Sequence, residues 1–129
     1  MKGNRRWMSA CSILALCMAS GVAAAGQDYP SKPISLIVGF APGGGNDVMG
    51  RLVAEHLRAE LGQPVVVENK AGADGAIAAQ FVAKASPDGY TLLSGSSGMM
   101  AYNPGLNPAL SYDPVKDFVP ITMIGYSQL

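Results

Sequence analysis

Nine consecutive residues, Gly39-Phe40-Ala41-Pro42-Gly43-Gly44-Gly45-Asn46-Asp47, carry the clearest capacity for chemistry in this chain. They follow the apolar run Ile34 to Val38 and precede a pattern of helical spacing, so the order is strand, glycine loop, helix start. The first N–H groups of a helix have no partner within it, and the helix dipole makes that end partly positive, so a carboxylate or phosphate is favoured there. Glycines remove the Cβ that would hold such a ligand away, and they adopt positive φ at little cost. The residues alone leave two readings open, an anion cradle or a tight strand-to-helix turn without a ligand. Asp47 reads first as a helix cap, worth about 1 kcal/mol, and second as a ligand contact.

A second loop, Ser94 to Pro104, is rich in hydroxyls and small side chains. Serine hydroxyls facing a glycine loop suit hydrogen bonding to the second oxygen of an anion. A plain turn has the same composition.

Other chemistries fail on spacing. Gly43, Gly44 and Gly45 do not make G-x-G-x-x-G, because Val48 stands three positions after Gly45, and no Gly-Lys-Ser or Gly-Lys-Thr completes a phosphate loop. Ser96-Ser97-Gly98 is not a nucleophile elbow, since Met99 stands where the second glycine is needed. His56 is the only histidine and reads as a surface or groove residue of the first helix. Cys11 and Cys17, the only cysteines, both precede the expected mature chain. A disulfide framework, a thiolate metal site and a cysteine nucleophile are therefore not expected there. Glu55 with Arg58 and Asp113 with Lys116 read as solvated pairs worth a few tenths of a kcal/mol, about 0.2–0.5 for each pair. No acid/base pair, metal cluster or cofactor motif stands out, and the reading is of a protein that is not an enzyme.

The elements that must hold these loops alternate. After a short lead-in carrying Pro30 and Pro33, Ile34 to Val38 is a strand expected to be covered on both faces. Val48, Met49, Leu52, Val53, Leu57 and Leu61 recur at helical spacing from about Asp47 to Leu61, with Asn46 or Asp47 as cap and Gly62 as stop. Val65-Val66-Val67 is a second strand. Asp74 is expected to cap an Ala-rich helix carrying Ile77, Phe81 and Val82, and Tyr90 to Leu93 is a third strand. Three strand–helix alternations imply an α/β fold with a parallel sheet, right-handed crossovers and ligand loops at the carboxyl ends of its strands. Tyr112-Asp113-Pro114 then forms a turn before the apolar stretch Phe118 to Ile124.

The amino terminus has the form of a secretory signal. Lys2, Arg5 and Arg6 precede an apolar run from Met8 to Val22, and Ala23-Ala24-Ala25 is a small-residue cleavage site. The apolar run is shorter than the roughly 20 residues of a membrane span. Trp7-Met8-Ser9 fits a twin-arginine signal poorly and Leu16 is bulky for a lipobox, so Sec export with cleavage after Ala25 is expected. Residues 26–129 would carry six basic and nine acidic groups, a net charge of −3 that recruits neither nucleic acid nor an anionic membrane. Three strands leave open sheet edges, and the expectation is that residues 26–129 open a longer protein.

Five ordered motifs then resemble one family. Tyr29-Pro30-Ser31-Lys32-Pro33-Ile34, the GFAPGGGND loop, Leu61-Gly62-Gln63-Pro64-Val65-Val66-Val67-Glu68-Asn69, Pro87 to Leu93 and Tyr112 to Phe118 are similar to the tripartite tricarboxylate transporter substrate-binding receptors, also called Bug-type receptors. The resemblance implies the parallel-sheet lobe of a type II-like, two-lobed periplasmic binding protein, truncated here to its N-terminal third, and monomeric at full length. It implies capture of a small organic anion bearing a carboxylate, delivery to membrane permease subunits, and no cofactor. It places the ligand contacts at Phe40, Ala41, Pro42, Gly43, Gly44 and Asp47 in the first loop and at Ser96, Ser97 and Ala101 in the second. Lys70-Ala71, Asp74 and Met99-Met100 depart from the pattern, which has Arg-Pro, a small residue and Thr-His there. An α/β enzyme using the glycine loop for a phosphate ester and a nonfunctional truncated receptor are the competing expectations.

Overall fold

The computed structural model describes residues 28–126. The expected signal segment and its cleavage site lie outside the described residues. The order is β1 (Ile34–Val38), α1 (Gly45–Leu61), β2 (Val65–Asn69), a 3-10 turn (Ala73–Gly75), α2 (Ala76–Ala83), β3 (Thr91–Ser94), a π-helical turn (Gly98–Tyr102) and the short α3 (Asn103–Leu106). The second strand runs two residues further than its valines, and the third is shifted by one residue toward the carboxyl end.

The three strands form one parallel sheet in the order β2-β1-β3. Val38 pairs with Asn69 on one side and with Ser94 on the other, so all three strands end level and their loops emerge side by side. From β1 the chain steps one way to β2 and then crosses back over β1 to reach β3. Right-handed crossovers in opposite directions place α1 and α2 on opposite faces, and the reversal between β1 and β3 opens a crevice at the carboxyl ends.

The packing matches this topology. On one face Gly50 of α1 lies so close to the sheet that a Cβ would stand 2.9 Å from Val38 Cγ2. On the other, Ala79 of α2 is fully buried in a cluster with Met99 and Tyr112, against which Leu93 of β3 packs. Covered on both sides, β1 buries Ile34, Leu36, Ile37 and Val38 as its apolar run predicts. Each such side chain contributes about 1.5–3 kcal/mol of transfer free energy.

Three local expectations are corrected. The N-cap of α1 is Gly44, with no side-chain cap bond, so neither Asn46 nor Asp47 fills that position. The helix starts two residues earlier than its apolar spacing suggests because glycines carry no periodicity signal. Asp74 does not cap α2 either. It sits inside the 3-10 turn at φ 51° and ψ 41°, and the helix begins after Gly75. A left-handed conformation at a residue with a Cβ costs on the order of 1 kcal/mol. Glu55 and Arg58 form no ion pair among the described residues, both being exposed on α1, where water screens them. Gly62 stops α1 as expected, with φ 66° and its N–H donating to Arg58 O at 3.1 Å.

Beyond α3 the chain returns across the β3 side. Tyr112 is buried, donates to Met99 O at 2.7 Å and packs edge-on against Phe118 with ring centroids 6.0 Å apart. From Val119 to Tyr126 no regular element forms, and Val119, Ile121 and Met123 are exposed.

Candidate functional site

The loop from Gly39 to Gly44 links β1 to the amino end of α1 at the reversal point of the sheet. Within it only Gly43 is forced to be glycine by backbone conformation, at φ 84°. Gly44 has φ −77° and ψ 168°, open to any residue, and a Cβ there would only touch Ala41 O at 3.5 Å. A Cβ on Gly45 would meet nothing within 4 Å. The fold itself would accept side chains at both positions. Val48 N–H is the first in the helix to bond back, to Gly44 O at 3.0 Å, and the N–H groups of Gly45 and Asn46 have no acceptor among the described residues. Two exposed glycines thus lie against free donors at the positive end of a 17-residue helix.

Asp47 holds this loop from beneath. It is only 2% exposed, and both carboxylate oxygens are occupied. Oδ2 accepts from Gly43 N–H at 2.9 Å and from Arg51 Nε at 2.9 Å, while Oδ1 accepts from Asn69 Nδ2 at 2.8 Å. Asn69, at the end of β2, also donates to Phe40 O at 3.0 Å and accepts from Arg51 Nη2 at 3.3 Å. Three side chains from two elements, Asp47 and Arg51 of α1 and Asn69 of β2, therefore clamp both ends of the glycine turn. The Arg51 guanidinium foremost, then the Gly43 N–H and the Asn69 amide, hold the Asp47 carboxyl far below the usual carboxylate range. Asp47 is ionised, buried and fully partnered, which makes it a strut for the loop.

The facing wall follows β3. Ser96 Oγ accepts from Met99 N–H at 3.3 Å, and Ser96 O accepts from Met100 N–H at 3.0 Å, so this serine starts the π-helical turn. An accepting hydroxyl keeps its own hydrogen free to donate. Ser97 and Ala101 are exposed, Phe40 is half-buried, and Ala41, Pro42, Gly43 and Gly44 are exposed. The nine residues the sequence singles out thus lie on two adjacent loops at one end of the sheet, eight at or near the surface and Asp47 inside.

Met99 departs from the role its position suggests. It is fully buried, plugged into a gap where a Cβ on Gly39 would stand 2.7 Å, and one on Gly75 2.6 Å, from its Cε. Its side chain therefore locks the β1 loop, the 3-10 turn and the β3 loop together from below. Burial is the foremost reason that the Tyr112 hydroxyl bonded to Met99 O has its pKa raised. Sequence reasoning missed Arg51, Asn69, Met99 and Tyr112. Arg51 was within reach, since Asp47 and Arg51 stand four apart on a helix. Asn69 and Tyr112 act across sheet and loop contacts that no local spacing encodes.

Comparison with known proteins gives the family and the fold. The sequence profile of the tripartite tricarboxylate transporter family receptor (TctC) matches residues 49–129. Protein BugT of Bordetella pertussis is 48% identical over 109 residues, covering 82% of this chain and 33% of BugT. A protein of Agrobacterium vitis from the UPF0065 group is 43% identical over 116 residues, 84% of this chain and 33% of its own. Among solved structures, a periplasmic transporter superposes with a TM-score of 0.66 at 56% identity, over 68% of this chain and 30% of that one. MatC from Rhodopseudomonas palustris with bound malate gives 0.68 at 42% identity, over 71% of this chain and 31% of that one. A further R. palustris protein, with adipate, gives 0.65 at 40% identity, over 68% and 29%. The chain spans about a third of the length of the curated relatives it matches. In sequence and in fold, the chain belongs to the tripartite tricarboxylate transporter receptor family.

Proposed function

We propose that this chain supplies the first wall of a carboxylate clamp in a two-lobed periplasmic receptor, which captures a small organic acid and hands it to a membrane permease. The observation that carries the reading is the pair Gly44 and Gly45. The fold does not require glycine at either, yet both lie against the unpartnered N–H groups of α1. A ligand oxygen approaching those donors accounts for the missing side chains. Two structural relatives are described with malate and with adipate, which supports a carboxylate over a phosphate ester.

In this reading one ligand carboxylate sits at the α1 terminus and accepts from Gly45 and Asn46, while the Ser96 hydroxyl donates from the opposite wall. Each charge-assisted hydrogen bond contributes about 1.5–3 kcal/mol net, which offsets the cost of taking the anion out of water. Phe40, Ala41 and Pro42 would cover its apolar part, Ser97 and Ala101 would close the second side, and Asp47 would act by holding Gly43 in place. A second lobe closing over these loops would exclude solvent. No bond is made or broken in this process.

The test is a thermal-shift screen of the complete receptor against mono-, di- and tricarboxylates, amino acids and phosphate esters. A carboxylate at saturating concentration should raise the unfolding temperature. Stabilisation by phosphate esters alone would contradict the reading.

A further inference from the structure

The 3-10 turn after β2 brings a third element to the rim. Gly75 packs against Gly39, whose Cβ would stand 2.9 Å from Gly75 Cα, so the turn touches the start of the glycine loop. On its other side it meets the π-helical turn, where a Cβ on Gly98 would stand 2.6 Å from Asp74 Oδ2 and 3.5 Å from Ser96 Oγ. The Asp74 carboxylate and the Ser96 hydroxyl thus flank one point, and Gly98 leaves that point open.

The turn that carries Asp74 is held from several sides. Asp74 O accepts from Asn103 Nδ2 at 3.3 Å, Gly75 N–H donates to Gly72 O at 3.0 Å, and Met99 fills the space beneath. No donor or cation pairs with the Asp74 carboxylate among the described residues. The two cations bonded at or next to the end of β2 are engaged elsewhere: Arg51 with Asp47 and Asn69, and Lys70 with Glu68 at 3.6 Å and with the Phe81 ring at 4.1 Å. An exposed, unneutralised negative charge therefore stands beside the hydroxyl of the second wall.

From this placement we propose that Asp74 sets the ligand class of the clamp: it accepts a protonated amine of a bound amino acid and repels the second carboxylate of a plain diacid. The inference rests on the carboxylate-clamp reading above. The ligand's carboxylate takes the α1 terminus and Ser96, and its ammonium faces Asp74. A diacid would bring a second anion to the same spot with no free cation there among the described residues to compensate. Discrimination then comes from attraction to one partner together with repulsion of the other.

The experiment compares ligand pairs that differ by one ammonium group, L-aspartate against succinate and L-glutamate against glutarate, by calorimetry on the complete receptor. The wild type should favour the amino acid of a pair by about tenfold or more, and Asp74→Asn should remove that preference by weakening the amino acid and strengthening the diacid. Asp74→Gly, which relieves the left-handed strain, should give the same ranking as Asp74→Asn and so separates the charge from any folding effect. If the wild type binds carboxylates with no preference for the ammonium, or if Asp74→Asn leaves the preference intact, this inference falls and the carboxylate clamp stands. If no carboxylate or amino acid binds either protein, both fall.

Discussion

Asn69 at the end of β2 donates its side-chain amide to Asp47 Oδ1 at 2.8 Å, tying the strand next to β1 to the first turn of α1 across 22 positions of sequence. The same amide group reaches Phe40 O at 3.0 Å, so one side chain fixes both the entry and the exit of the glycine loop. The loop's shape is thus held by side chains of α1 and β2 together with the positive φ of Gly43. Its donors are aimed before any ligand arrives, which lowers the ordering cost of binding.

Removing that strut should loosen the loop without touching the ligand. Asp47→Ala leaves the Gly43 N–H, Arg51 and the Asn69 amide without their common acceptor, so both stability and ligand affinity should fall. A double-mutant cycle of Asp47→Ala with Asn69→Ala, read by denaturant unfolding, should show coupling between the two positions. Strictly additive effects would mean that the two side chains do not act together.

The network also predicts a pH dependence. Arg51, the Gly43 N–H and Asn69 lower the Asp47 carboxyl in the folded state, so the folded protein holds this proton less tightly than the unfolded chain does. The resulting stabilisation is fully present above the unfolded value of about 3.9 and is lost as pH falls below it toward the folded value. Asp88 and Asp113 are lowered too, by the Tyr90 N–H and by Lys116 respectively, so the comparison must be with Asp47→Asn. Unfolding curves should show a shallower loss of stability below pH 4 in the variant, and parallel profiles would exclude the role given to Asp47.

The interlock under the rim should be intolerant of one methyl group. Gly75→Ala would place a Cβ 2.6–2.8 Å from three atoms of Met99 at a φ of 84°, so both overpacking and backbone strain apply. A loss of about 1–3 kcal/mol in unfolding free energy is expected from the overpacking alone. Gly45→Ala, with no neighbour within 4 Å, should change stability by no more than about 0.5 kcal/mol.

Export should remove residues 1–25. Mass spectrometry of the protein recovered from the periplasm should show a chain beginning at Gly26. Recovery with Met1 to Ala25 intact would refute the secretory reading.

Much of the frame was legible because its signals are local. The apolar run Ile34 to Val38 matches β1 residue for residue, and Gly62 stops α1 where a left-handed residue was expected. The alternation of elements led to a parallel sheet, and the loops after β1 and β3 do stand side by side. What stayed hidden depends on distant partners. Met99 reads only as a departure from the family pattern until the gap between Gly39 and Gly75 is seen, and Asp47 reads as a cap until Asn69 is placed beneath it. Asp74 gave no signal of its left-handed backbone, because position 74 alone does not reveal that Gly75 must press against Gly39. The apolar stretch Phe118 to Ile124 carries no period that assigns it an element, and beyond Phe118 it forms none and stays largely exposed.

The central claim is that the α1 terminus behind Gly44 receives a ligand carboxylate. Calorimetry of the complete receptor and its Gly44→Val variant, with the best carboxylate from the thermal screen, tests it most directly. Backbone conformation and spacing at Gly44 leave room for a side chain, so the ligand-free variant should unfold close to the wild type while its affinity falls by more than about tenfold, at least one lost charge-assisted hydrogen bond. Undiminished affinity in a folded Gly44→Val protein would contradict the account.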